Sequence, residues 1–306
     1  MQAAAQAAGD LLWDASWTEA AGEQTIKERS ACRPGASDGA QGIDFFCSWF
    51  CPFAQRAWIA LEELRLPYTY IEINPYAVDA SQPGGYTKKQ LSMREKTELY
   101  PDFVRVSPRG LVPALSDCGI GVFESLPLIE YLDEVYGTSE RRLMPRNAYQ
   151  RAQVRIWCDY VTNRIQKAYY VILISQNTKQ QNEAYQTLLN ESRMLARAME
   201  LNSAAFGSGP FFLGLEFSMM DIALAPFWFR FLVIGGHYRN LTFPEHEPEF
   251  VRLRVWWEAV RARPCVARTL VCEPRLIESY RQYARNEATS DFAQGMRSSI
   301  RDADTK

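Results

Sequence analysis

Within about thirty residues the apolar period of this chain changes twice, and that switch limits the fold more than any other feature. Ile43-Asp44-Phe45-Phe46-Cys47 is a short aromatic and β-branched run that reads as a buried strand. Pro52 follows at a place where a helix accepts proline, the first turn, which needs no amide hydrogen. Phe53, Ala57, Ile59, Ala60 and Leu64 then recur at helical spacing, Leu66-Pro67 closes the helix, and residues 68–73 alternate as a second strand. A strand, a helix and a strand at this spacing form a βαβ unit, which needs its crossover helix.

The rest of the chain extends that unit and then abandons strands. Residues 110–115 and 120–123 read as a hairpin turning at Asp117-Cys118-Gly119, and a helix over 126–136 stops at Gly137. Beyond Pro145, residues 149–174, 180–201, 218–234, 250–261 and 275–286 all show helical period. Ser218 and Asp221 have the spacing of a capping box. The order predicts an α/β domain over 43–140 and an all-helical domain over 145–290. An Ala-, Gly- and Ser-rich stretch over 1–42 reads as a disordered extension, and polar residues 291–306 read as a loose tail. Residues 75–100, with Pro75, Pro83, Gly84 and Gly85, are too long for a simple connection and read as an insertion, either a flap or disordered.

Charge excludes two classes of partner. With 34 basic and 36 acidic residues in 306, the net charge is -2, no footprint for nucleic acid or an anionic membrane. No apolar run in the sequence reads as a membrane span, and the N-terminus lacks the pattern of a secretory signal. Seven scattered cysteines, an odd number, suit a reducing compartment, so the expected location is cytoplasmic.

Cys51 is the residue with chemistry. It stands between a strand and Pro52, where helix N–H groups and the positive end of the helix dipole converge. A thiolate is favoured there, which predicts a lowered pKa and a nucleophile. Cys47 lies four residues earlier, a spacing too long for the usual two-residue dithiol, and reads as an inert strand cysteine. Cys118, Cys158, Cys265 and Cys272 read as small packing residues. Neither His237 nor His246 is spaced to join a cysteine at a metal, so no metal is expected.

Phe50-Cys51-Pro52-Phe53-Ala54-Gln55-Arg56, then Gly110-Leu111-Val112-Pro113-Ala114-Leu115, then Phe123-Glu124-Ser125 followed by Leu128-Ile129-Glu130-Tyr131-Leu132-Asp133, resembles the omega class of glutathione transferases, the fungal omega-like members above all. The likeness continues through Pro210-Phe211-Phe212-Leu213-Gly214 and Ser218-Met219-Met220-Asp221-Ile222. It implies a thioredoxin-like α/β domain followed by an all-α domain, with glutathione as co-substrate. It also implies that Cys51 is the catalytic nucleophile, that Pro113 follows a cis bond, and that Val112 pairs with the cysteinyl part of glutathione. Glu124 and Ser125 would hold the γ-glutamyl end, Leu111 would flank it, and Phe53 would pack near the thiol. The family places a lysine near the glycyl carboxylate, and the long segment before Arg109 carries Lys88, Lys89 and Lys96, of which Lys96 is nearest to the resumed motif.

The expected activity is glutathione-dependent thiol transfer or reduction of the dehydroascorbate-reductase type, on a small hydrophobic or disulfide second substrate, with a homodimer left open. That substrate would sit between the domains, where Trp157, Tyr160, Phe227, Arg230 and Phe231 are candidates. A conjugating glutathione S-transferase and a non-catalytic binder of hydrophobic ligands remain the alternatives.

Overall fold

The computed structural model describes residues 42–304 apart from residues 80 and 82–85. The extension expected over 1–42 thus falls, but for Gly42, outside the described residues.

Strand β1 (Ile43–Cys47) leads to helix α1 (Pro52–Leu64) and β2 (Thr69–Glu72). With β5 (Ala114–Asp117) and β6 (Ile120–Phe123) they form a sheet in the order β2-β1-β5-β6. β1 runs parallel to β2 and antiparallel to β5, so the crossover helix predicted from the period change is present. Alternation divides β1 between two faces. Phe45 and Cys47 pack with α1 and with Leu128, Ile129 and Leu132 of α4 (Ser125–Tyr136). Phe46 faces the other way, onto Phe103 and Val106 of α3 (Pro101–Val106). The sheet is therefore covered on both sides, the thioredoxin-like arrangement.

The segment expected to be an insertion is folded. β3 (Tyr76–Val78) pairs antiparallel with β4 (Tyr86–Gln90), and α2 (Met93–Leu99) follows. Ser92 and Glu95 close a capping box on α2, the backbone N–H of Ser92 donating to Glu95 Oε2 at 2.8 Å. The hairpin has a reason to order, because Tyr76 and Tyr86 pack on Phe50 at ring distances of 5.5 Å.

The second domain is helical. α5 (Ala148–Tyr160) runs through a π turn into α6 (Gln166–Ile174), and α7 (Thr178–Phe206) packs against it. α8 (Met219–Arg230) runs through a second π turn into α9 (Gly236–Arg239). α10 (Pro248–Ala262), α11 (Pro264–Ala267) and α12 (Glu273–Ala284) complete the bundle. By length and composition Met219–Arg239 could cross a membrane, a run the sequence reading did not find. Of its apolar window 83% is buried inside the protein, which identifies it as the core helix. Asp221 anchors its start, accepting from the N–H groups of Ser218 at 2.8 Å and Phe212 at 2.9 Å and from Trp256 Nε1 at 2.8 Å.

Two expectations are corrected. The loose tail is instead helix α13 (Asp291–Asp304), and Phe292 lies edge-on against Tyr170 at 4.5 Å. Its composition is polar, but Phe292, Ala293 and Met296 bring enough apolar surface to dock on a preformed wall. Cys118, expected to be a plain packing residue, is disulfide-bonded. It occupies the tight β5–β6 turn at φ 49°, where nothing in the local sequence announces pairing. Cys158 and Cys265 are buried free thiols, and Cys272 is free and partly exposed.

Candidate active site

Cys51 is the N-cap of α1, with φ -82° and ψ 119°, and its backbone N–H is tied to Ser48 O at 2.9 Å. Its sulfur makes no capping hydrogen bond, yet the N–H groups of Phe53 and Ala54 stabilise a thiolate there, as do the charges of Arg230 and Lys88. Burial acts in the opposite direction and outweighs them, so the thiol is pushed up. The expectation of a lowered pKa is corrected on this point. Helix amides pull as predicted, but the sulfur stands in a pocket walled by rings, where a lone anion is costly. Cys47 is fully buried, and burial first and the Glu72 charge second push its thiol well up, which fits an inert strand cysteine.

Cys51 opens into a cavity of about 270 Å³ between the domains. Of the site residues expected from sequence, Phe53, Leu111, Val112, Pro113, Glu124 and Ser125 all line it. The Val112–Pro113 bond is cis, and the Val112 N–H and C=O have no partner among the described residues. Glu124 holds φ 70°, a left-handed conformation costing of order 1–3 kcal/mol that persists only where surroundings impose it. It is the N-cap of α4, and Ser125, the first residue of that helix, is buried.

Lys96 is not in the cavity. Its Nζ donates to Gly110 O at 2.9 Å, bracing the loop from behind, and burial lowers its pKa. The lysine lining the cavity is Lys88, and Arg109 is a second cation there, 3.0 Å from Glu124. Sequence reading missed Arg109, although it adjoins Gly110 of the quoted motif. It considered Lys88 with Lys89 and Lys96 for the glycyl carboxylate and favoured Lys96, although Tyr86, Lys88 and Gln90 alternate as one face of a strand would.

The residues proposed for the second substrate belong mostly to the scaffold. Phe227 and Phe231 are fully buried, and neither Trp157 nor Tyr160 lines the cavity. The helical wall is instead Tyr170, Tyr280, Tyr283 and Phe292. Arg230 is fully buried and donates to Phe50 O at 2.9 Å, Gln55 Oε1 at 2.8 Å, Tyr280 Oη at 2.9 Å and Pro226 O at 2.8 Å. Arg56 crosses the interface in the other direction, donating to Ala223 O at 2.9 Å and to Ser125 Oγ at 3.4 Å. Burial pushes its guanidinium down to about 10. These two arginines hold the Cys51 loop and the start of α4 against α8.

A cysteine at a helix N-terminus, a cis proline across from it and a Glu-Ser helix start around one interdomain cleft define a thioredoxin-fold transferase. Residues 50–135 match the glutathione S-transferase N-terminal domain and residues 186–261 the glutathione S-transferase C-terminal domain. The chain belongs to the glutathione S-transferase family, whose members use glutathione as co-substrate. It is 25% identical over 236 residues to the probable glutathione S-transferase parC of Nicotiana tabacum, covering 77% of this chain and 91% of that protein. It resembles glutathione transferase Omega 3C of Trametes versicolor with a TM-score of 0.63 and 29% identity, over 81% of this chain and 92% of that one. Rice GST1 in complex with glutathione shares the fold at a TM-score of 0.57 and 23% identity, over 78% and 95% of the two chains.

Proposed function

We propose that this protein is an omega-type, glutathione-dependent thiol transferase in which Cys51 is the nucleophile. The observation that carries the proposal is that the side chain at the α1 N-terminus, facing the cavity, is a thiol. The 29% identical Omega 3C supports the class. Glutathione would lie extended along Val112, its cysteinyl amide pairing with the unpartnered Val112 N–H and C=O. Its γ-glutamyl head carries an ammonium beside a carboxylate. Glu124 and Arg109, themselves paired at 3.0 Å, offer the complementary charges side by side, and the Ser125 helix start adds N–H groups for the carboxylate.

The Cys51 thiolate attacks the glutathionyl sulfur of a mixed disulfide, and the other sulfur leaves as a thiolate. A second glutathione thiolate then attacks the Cys51-bound glutathione, giving oxidised glutathione and the Cys51 thiolate again. A cytoplasmic location belongs to the same proposal. Cys47, Cys51, Cys158, Cys265 and Cys272 are free, though Cys118 is not.

One observation favours a second reading, glutathione conjugation. The upward shift at Cys51 keeps it a thiol, able to donate a hydrogen bond to glutathione's own thiolate. Replacement of Cys51 by serine separates the two. Reduction of hydroxyethyl disulfide is expected to fall at least a hundredfold (roughly 2.7 kcal/mol) while glutathione affinity by calorimetry changes little. Glu124→Ala should do the reverse, weakening glutathione binding about fivefold, because an ion pair this exposed contributes about 1 kcal/mol. Full disulfide reduction by Cys51→Ser would overturn the thiol-transfer reading, and retained conjugation of a chlorinated nitrobenzene would favour the second.

A further inference from the structure

The cavity holds a lysine whose ammonium has no ion-pair or hydrogen-bond partner among the described residues. Lys88 is 2% exposed, and its Nζ stands inside a box of aromatic rings, 3.9 Å from the centroid of Phe50, 4.4 Å from Tyr76, 5.0 Å from Tyr86 and 5.9 Å from Tyr283. Among the described residues no carboxylate or hydrogen-bond acceptor reaches that nitrogen. Its backbone is fixed at both ends, the N–H donating to Gln282 Oε1 at 2.7 Å and the carbonyl accepting from Thr289 N at 3.1 Å. The side chain is thus anchored to the helical domain and aimed into the same cavity as Cys51.

A buried ammonium without a partner is costly, and ring faces recover only part of its lost hydration. Burial accordingly pushes Lys88 down to about 7, the Cys51 side opposing this and Arg230 adding to it. An anion entering the box would supply the missing charge and hold the proton on Lys88. The rings come from the Cys51 loop, the β3–β4 hairpin and α12, and none from the 107–125 stretch that would hold glutathione. Lys88 also docks on the helical domain through Gln282 and Thr289, so the box faces the helical wall, where the second substrate would sit.

We propose that the second substrate of this site is a flat, largely apolar molecule bearing a carboxylate, and that Lys88 receives that carboxylate while the aromatic walls take the ring system. The proposal rests on Cys51 as the reacting thiol only for what happens next. The binding itself needs no turnover, and the test uses binding.

The probes are 2-naphthoate and its neutral counterpart 2-naphthamide, titrated calorimetrically into the full chain with glutathione saturating. Wild-type protein should bind naphthoate at least tenfold more tightly than naphthamide, about 1.4 kcal/mol. Lys88→Gln should remove the difference, Lys88→Arg should keep most of it, and glutathione affinity should stay within twofold in both. Lys88→Gln takes an unpaired charge out of the interior, so it is expected to fold and to melt no lower than wild type. Equal binding of the two probes by wild type would overturn the proposal. So would a loss of glutathione affinity in Lys88→Gln matching the loss of naphthoate affinity, which would assign Lys88 to glutathione's glycyl carboxylate. Disulfide reduction by the same proteins tests the thiol-transfer reading separately. Its absence alongside retained naphthoate discrimination would sink that reading and leave the anion site standing.

Discussion

Arg230 joins the helical domain to the reactive loop, and replacing it by methionine tests whether that link supports both stability and the thiol. The guanidinium is fully buried and makes four hydrogen bonds. Methionine restores much of the volume and none of the donors. Tyr280 can redirect its hydroxyl, but Phe50 O and Gln55 Oε1 lose a donor in the interior, at about 1–3 kcal/mol each. Removing a buried charge returns part of this, because its desolvation no longer has to be met. The expected net loss is about 3 kcal/mol, read as a lower urea midpoint by tryptophan fluorescence. Arg230 also lowers the Cys51 pKa, so the variant should push that thiol further up and slow its alkylation by iodoacetamide at pH 7. Arg230→Lys keeps a positive charge without the planar fork. It should lose stability but keep most of the alkylation rate. An unchanged midpoint together with an unchanged pH profile of alkylation in Arg230→Met would refute the assignment.

Glu72 offers a pH test. It accepts from Tyr70 Oη at 2.6 Å and Trp49 N at 3.2 Å, but burial outweighs those bonds and raises it to about 7. A folded pKa above the unfolded one means that the folded state holds the extra proton. The associated stability is complete below about pH 4.5 and lost as pH rises through about 7. Allowing for partial exposure, the loss is about 2 kcal/mol, and Glu72→Gln should show a correspondingly flatter melting temperature from pH 4.5 to 8. Asp221→Ala strands the N–H groups of Ser218, Phe212 and Trp256 in the core, at about 3–5 kcal/mol. Differential scanning calorimetry should show the melting temperature fall well below wild type.

What could be read from sequence was what neighbouring residues decide. The period change over 43–73 located β1, α1 and β2, because a strand face and a helix face each repeat within a few residues. Val112-Pro113 and Glu124-Ser125 were legible as motifs, and they meet Cys51 because the end of β1, the start of antiparallel β5 and the end of β6 lie at one end of the sheet. Lys96 and Lys88 show the limit. Both are basic residues in a polar stretch, and both are almost fully buried. What distinguishes them is the set of rings around Lys88, drawn from positions 50, 76, 86 and 283, and no local window contains that set. Lys89, the next residue, is exposed, as the two-residue alternation of β4 requires. The upward shift at Cys51 has the same origin, since helix position is local but the walls that remove water are not.

The two segments that read as an insertion and a loose tail depend on each other. Gln90 of β4 donates to Asp291 Oδ2 at 2.8 Å and accepts from the Asp291 N–H at 3.0 Å, at the first residue of α13. Tyr76 of β3 meets Tyr283 hydroxyl to hydroxyl at 3.3 Å, and Tyr283 reaches Ser290 Oγ at 2.8 Å. Thr289 N caps the Lys88 carbonyl between them. The hairpin alone would be marginal, since two strands rarely hold without a surface to pack on. α13 alone would be a short polar helix with little to stabilise it. Docked together, they form one wall of the cavity, and Lys88 and Phe292 enter it from the two partners. The residues that would hold glutathione under the proposed function lie in the compact α/β unit, where sequence spacing reveals them. The wall of hairpin and helix is assembled from two segments about two hundred residues apart, and its chemistry exists only once both have docked.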